Sequence, residues 1–380
     1  MLWKSKISYI ALSTVVLTAC CKDDPDPKKI ISDIFSDEEY ALYLAYVYDS
    51  IPSASDKKIL CSGVWTNSEY SGGTPSVRKL SPGRDEGVEV FDICVTEDKK
   101  TVYVAGCIDY AAVYWENDKE VILPEGRGAL GITVDSKGVV YTCGFQKDGY
   151  DELAKLWRGT TPVVLKNGAR AKKLSICNGK CYVAGYGINP EREDAEEARI
   201  WIDEQSYSRL PQDNEDDKNG FFPALANDIA SDGENWWCVG QEKNGAANTL
   251  PKVWINRSNN NLKREGTGST LNCIKYENGT YYIGGNDGFH AMYWTACQKS
   301  KKENRISDYK EYNLSSGATH ATVEDIDVLN GIVVCCGYEI STTGSYIPKL
   351  WINGSEYKLG QQLNNYSKVR PRAVKILKRK

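Results

Sequence analysis

Residues Ile176–Gly187 read ICNGKCYVAGYG, two cysteines around an Asn-Gly pair, followed by an apolar run that ends in glycine. A metal or redox site would need both thiols on one side of the chain. Asn-Gly is instead the pair that suits a two-residue type I′ turn, because both central positions take positive φ. In such a hairpin Cys177 lies across from Lys180 and Ile176 across from Cys181, so the two thiols point to opposite faces. The chain has 13 cysteines, none in the C-x-x-C spacing of a zinc finger. Cysteine reads here as a small core residue.

The ending YVAG is one of seven related fragments: LCSG at Gly63, YVAG at Gly106, YTCG at Gly144, YVAG at Gly185, WCVG at Gly240, YIGG at Gly285 and VCCG at Gly337. After six of them comes a tryptophan in a short strand-like run: AVYWEND, AKLWRGT, ARIWIDE, PKVWINR, AMYWTAC and PKLWING. These are Trp115, Trp157, Trp201, Trp254, Trp294 and Trp351. In the first unit TPSVRKLSPG stands in that place, with Arg78 where the tryptophan is expected. Each unit reads as four strands. An apolar alternation such as FDICV comes first, a hairpin leads to the strand ending in glycine, the tryptophan strand follows, and a run such as PVVLKNG closes the unit. A period of about 45 residues with four short strands per unit indicates a propeller.

The ends say how the ring closes. The chain finishes VRPRAVKILKRK, whose AVKIL matches a first strand with no second strand after it, whereas KKILCSG begins at a second strand. The expectation is an all-β, seven-bladed β-propeller closed by its C-terminal strand, ahead of six or eight blades. Tyr43 to Tyr48 is the rival source of the missing strand. Closure matters because it removes exposed sheet edges.

The first residues read as a processing segment. Lys4 and Lys6 precede an apolar stretch from Ile7 to Leu17, too short to span a bilayer, that runs into Leu17-Thr18-Ala19-Cys20. Those four residues resemble a bacterial lipobox, which implies cleavage before Cys20 and acylation of its thiol. Cys21-Lys22-Asp23-Asp24 resembles the surface-export signal of some Gram-negative lipoproteins, and Asp49-Ser50-Ile51 an O-glycosylation sequon. The domain expectation is therefore a signal peptide over 1–19, a lipidated N-terminus and tether over 20–56, and a propeller over 57–380. The expected location is the outer membrane, held by the lipid and displayed at the cell surface.

The repeat resembles that of a broad group of bacterial lipoprotein propellers with VYVAG…YWKNG units, most without a defined function. The resemblance covers roughly Lys57 to Lys380 and implies the fold. Arg78 and the insertions around Asp194 and Lys301 depart from it.

Chemistry is sparse. His290 and His320 are the only histidines, and no nucleophile elbow, P-loop or HExxH motif occurs. No cofactor or metal is expected, and a net charge of −4 gives no basic footprint for nucleic acid. Asp92, Asp228 and Asp325 recur at equivalent places in first strands that line the tunnel. Such repetition favours a structural role over acid/base work. Loops on one face carry Trp65, Tyr70, Tyr110, Phe145, Tyr150, Tyr186, Phe289, His290, Tyr338 and Tyr346, with Arg127, Arg170, His320 and Arg370 opening onto the same face. Aromatic faces stack on sugars and arginines pair with carboxylates or sulfates. The functional expectation is a glycan-binding or interaction module. The alternatives are a carboxylate-based glycoside hydrolase or polysaccharide lyase, and a scaffold for an outer-membrane protein partner.

Overall fold

The computed structural model describes residues 40–378, apart from 51–58, 68–75, 84–86, 98–100, 150, 190–194, 205, 214–222, 244–248, 263–267, 301, 316–319, 360–362 and 364–365. Residues 1–39, which include the stretch read as a signal segment, Cys20 and the acidic residues after it, lie outside this range. Seven four-stranded antiparallel sheets succeed one another along the chain, and the inner strand of each lines a central tunnel. Between consecutive blades lie seven separate hydrophobic clusters, one per junction. The protein is a seven-bladed β-propeller.

Closure uses both candidate segments. In blade one the inner strand is the C-terminal Ser367–Lys378, the second is Tyr40–Ser50, the third Ile59–Thr66 and the outer Ser76–Lys79. The C-terminal strand thus closes the ring as expected, and the Tyr-rich stretch assigned to the tether belongs to the sheet. This corrects the alignment of the first repeat. Gly63 sits on a third strand, and Arg78 on an outer one. Tyr46, not a glycine, occupies the position of the repeated glycine, so the glycine motif points to the third strand of this blade in place of the second.

The repeated glycines answer to a steric demand. Every blade carries a bulge where its inner strand pairs with the second strand, as between Val90 and Asp92 opposite Gly106 and Ala105. A Cβ on Gly106, Gly144, Gly185, Gly240, Gly285 or Gly337 would lie 1.9 to 2.1 Å from a carbonyl oxygen of the inner strand. Glycine is needed for that close approach. Asn178 and Gly179, by contrast, have φ of 50° and 76° in the type I′ turn expected of them. Cys177 pairs with Lys180 and Ile176 with Cys181, as the opening stretch implies.

The tryptophans join blades. Trp115, Trp157, Trp201 and Trp254 are buried, and each indole Nε1 donates to a group on the preceding blade: Ser81 Oγ, Pro124 O, Lys166 O and Pro211 O, at 2.8 to 3.0 Å. Each acceptor directly follows a buried leucine at the end of an outer strand, Leu80, Leu123, Leu165 and Leu210. Two residues before several tryptophans stands a cation: Lys155, Arg199, Lys252 and Lys349. Lys155 and Lys252 are 2% and 0% exposed at the side chain and pair with Glu125 and with Glu242 and Asp213. Only Lys252 and Glu242 are both buried, and there the cost of burying two charges offsets their attraction, so the pair fixes geometry more than it adds stability.

Candidate functional site

Antiparallel order within each blade sorts the loops into two faces. Loops from second to third strands, and from an outer strand to the next inner strand, open at one end of the tunnel. The inner hairpins open at the other.

On the first face the expected aromatic and basic residues form separate groups. Tyr110 and Phe289 are 71% and 62% exposed. Over blades three and four, Arg170 is clamped by Glu152 through two nitrogens and stands 4.3 Å from the ring centre of Phe145, with Tyr186 opposite it in register. Its charge is therefore already neutralised. A second group spans blades six, seven and one. There Phe289 and His290 follow Asp287, His320 Nδ1 lies 3.3 Å from Gly288 O, and Arg370 stands 5.4 Å over Tyr346, itself edge-on to Tyr338. Arg127 is exposed on the loop entering blade three. Burial pushes the phenols of Tyr186 and Tyr338 up to about 12. Trp65 is not on this face. It is 1% exposed and belongs to the core between blades seven and one, being the junction tryptophan of a blade that the sequence misaligned. Tyr70 and Tyr150 lie outside the described residues.

Each bulge leaves one extra residue in its inner strand: Phe91, Leu130, Lys172, Asn227, Asn272, Glu324 and Arg372. Arg372 bridges Glu89 at 3.2 Å and Glu324 at 3.4 Å, while Lys172 Nζ donates to Asn227 Oδ1 at 2.7 Å. Burial brings Lys172 down to about 8.

Beyond the mouth, the hairpin-ward halves of the inner strands enclose a cavity of about 210 Å3. Asp92, Asp228, Asp325, Lys173, Lys275 and Lys375 line it. The recurring aspartates tie blades together, as their symmetry suggests. Asp92 Oδ2 accepts from Ile132 N at 2.9 Å, Asp228 Oδ2 from Ile274 N at 2.9 Å, and Asp325 Oδ2 from Val374 N at 3.0 Å, each on the next inner strand around the ring. Lys173 occupies the aspartate position of blade four and pairs with Asp92, while Lys375 pairs with Asp327. Burial raises Asp325 to about 6 against the opposing pull of Lys173 and Lys275. Burial also lifts the thiols of Cys143, Cys238, Cys273, Cys335 and Cys336 well above their usual range, in keeping with core packing. No metal-holding cluster of His, Cys, Asp or Glu occurs among the described residues.

The cavity and the buried cations escaped the sequence reading. Their signals were a lysine in a column of aspartates and the recurring K-x-W of AKLW, PKVW and PKLW.

No family model matches the chain, and no curated protein does. Among solved structures, the β-propeller domain of the Trilobed protease from Pyrococcus furiosus is 13% identical with a TM-score of 0.50, over 84% of this chain and 94% of that one. The polysaccharide lyase Uly1 is 8% identical with a TM-score of 0.46, over 79% and 85%. The periplasmic gluconolactonase PpgL of Pseudomonas aeruginosa is 8% identical with a TM-score of 0.42, over 88% and 99%. At these identities the likeness is one of fold alone.

Proposed function

We propose that this chain is a lipid-anchored propeller, displayed at the outer-membrane surface, that binds glycans without cleaving them. The observation that carries the reading is the group over blades six, seven and one, where the exposed Phe289 ring shares a face with Tyr338, Tyr346 and Arg370. Exposed aromatic rings and a cation on one face suit a sugar bearing carboxylate or sulfate. A glycan array probed with the purified full-length chain, with product analysis of every hit, tests it. Phe289→Ala with Arg370→Gln is expected to weaken binding at least tenfold, the loss of about 1.4 kcal/mol of contact. Stability should change little, because Phe289 is exposed. Unchanged affinity in the double variant would remove the face from consideration.

Cleaved product on the array would instead select a carboxylate-based hydrolase or lyase. Silence on the array would leave the scaffold role.

The anchor is tested separately. Several acyl chains hold a protein firmly where one holds marginally. Cys20→Ala is expected to move the chain from the membrane fraction to the soluble one, or to leave it unprocessed. Unaltered membrane partitioning and processing would rule out Cys20 as the anchor.

A further inference from the structure

The tunnel cavity carries a pairing pattern that the ring does not complete. Asp92 uses both carboxylate oxygens, one on Ile132 N and one on Lys173. Asp228 does the same with the N–H groups of Ile229 and Ile274. Lys375 is taken by Asp327, whose other contact is Ile376 N. Two groups remain. Asp325 is 2% exposed, and its Oδ1 has no hydrogen-bond partner although Oδ2 is held by Val374 N. Lys275 lies on the neighbouring inner strand of blade six, and its ammonium makes no ion pair or hydrogen bond among the described residues. The two lie near enough for each to perturb the other's ionisation, yet not within ion-pair distance.

We infer that this cavity is a binding site for a small zwitterion, whose carboxylate meets Lys275 and whose ammonium meets Asp325. Charge selects this class. Three aspartates and three lysines line the space, so a lone anion faces the carboxylates and a lone cation faces the ammoniums. A ligand bearing one charge of each sign completes both unpaired groups, and charge-assisted hydrogen bonds are the strong ones. A buried unpaired carboxylate is costly, which gives its completion a large driving force. Size sets the second limit. A dry cavity of about 150 Å3 accepts benzene, so 210 Å3 accommodates a small amino acid but not a peptide or a sugar chain. The side chains of Ile132, Leu174, Ile229 and Ile274 turn away into the blade junctions, so the wall between the charges is largely backbone and a small, polar ligand fits best. This site lies toward the hairpin end of the tunnel, away from the glycan face, and stands or falls independently of it.

The test is calorimetric titration and thermal melting of the full-length chain with glycine, serine and β-alanine, against acetate, methylamine and glucose. At least one zwitterion is expected to bind saturably and raise the midpoint, as any ligand of the folded state does. The three controls should give neither effect. Asp325→Asn keeps an oxygen for Val374 N and is expected to fold. It and Lys275→Met should each weaken zwitterion binding at least tenfold, and should Lys275→Met fail to fold, Asp325→Asn alone decides. Absence of binding by every zwitterion, equal binding by acetate or glucose, or undiminished binding by folded Asp325→Asn would each overturn the inference.

Discussion

Deleting residues 372–380 is expected to abolish cooperative folding. The segment removed is most of the inner strand of blade one, the strand that pairs with Tyr40–Ser50 and packs against the inner strands of blades two and seven. Val374, Ile376 and Leu377 are 2%, 1% and 4% exposed. Fully burying such side chains contributes about 1.5–3 kcal/mol each. Three of them approach the whole stability of a typical domain, about 5–15 kcal/mol. The loss is compounded at the seam. Val374 N and Ile376 N hold Asp325 and Asp327 at 3.0 and 2.9 Å, and without them two buried carboxylates lose their donors.

The matching truncations at the other end separate tether from blade. Removing residues 1–39 should leave the melting midpoint nearly unchanged, since the first blade begins at Tyr40. Removing 1–55 should be as damaging as the C-terminal deletion, because it takes away Leu42, Leu44, Tyr46 and Tyr48, all buried between blades one and seven. Circular dichroism melts of the three proteins give the comparison. A native-like midpoint after loss of 372–380 would mean that Tyr40–Ser50 closes the ring unaided.

Much of this architecture was legible because the same steric problem is solved repeatedly. A carbonyl pressed against the second strand demands glycine six times, and an indole between blades recurs with it. Blade one was illegible for the same reason. Its strands come from opposite ends of the chain, Tyr46 replaces the glycine, and Trp65 stands only two residues after Gly63, so the motif pointed one strand too far along. The rim fared differently. Its aromatic residues could be read off, but not their company. Arg170 is neutralised by Glu152 through a fold contact that residue spacing does not announce, and Tyr186 and Tyr338 are half-buried rather than displayed. The tunnel was harder still. Its charges become a set only when the bulges bring Lys173 into the column of Asp92, Asp228 and Asp325.

Replacing a junction tryptophan should separate packing residues from rim residues most sharply. Trp157 is 0% exposed, and its Nε1 donates to Pro124 O at 2.9 Å across the boundary between blades two and three. The ring is seated so closely that a Cβ on Gly126 would fall 2.7 Å from its Cζ2. Trp201 repeats the arrangement one junction later, with Lys166 O at 2.9 Å and Gly168 beneath the ring. Trp157→Ala is expected to cost roughly 3–5 kcal/mol, the range for emptying a buried aromatic site. Trp157→Phe should cost less, since it keeps part of the ring and forfeits mainly the bond to Pro124, a loss of about 1–3 kcal/mol if that oxygen stays dry. Denaturant titration should show both as shifts in midpoint at constant slope, the mark of lost stability rather than an altered unfolded state. Phe289→Ala, on the exposed face, should stay within about half a kcal/mol of the parent. A cost below 1 kcal/mol for Trp157→Ala would mean that the blades close over the gap, and the indole would then be filler at the junction rather than its fastener.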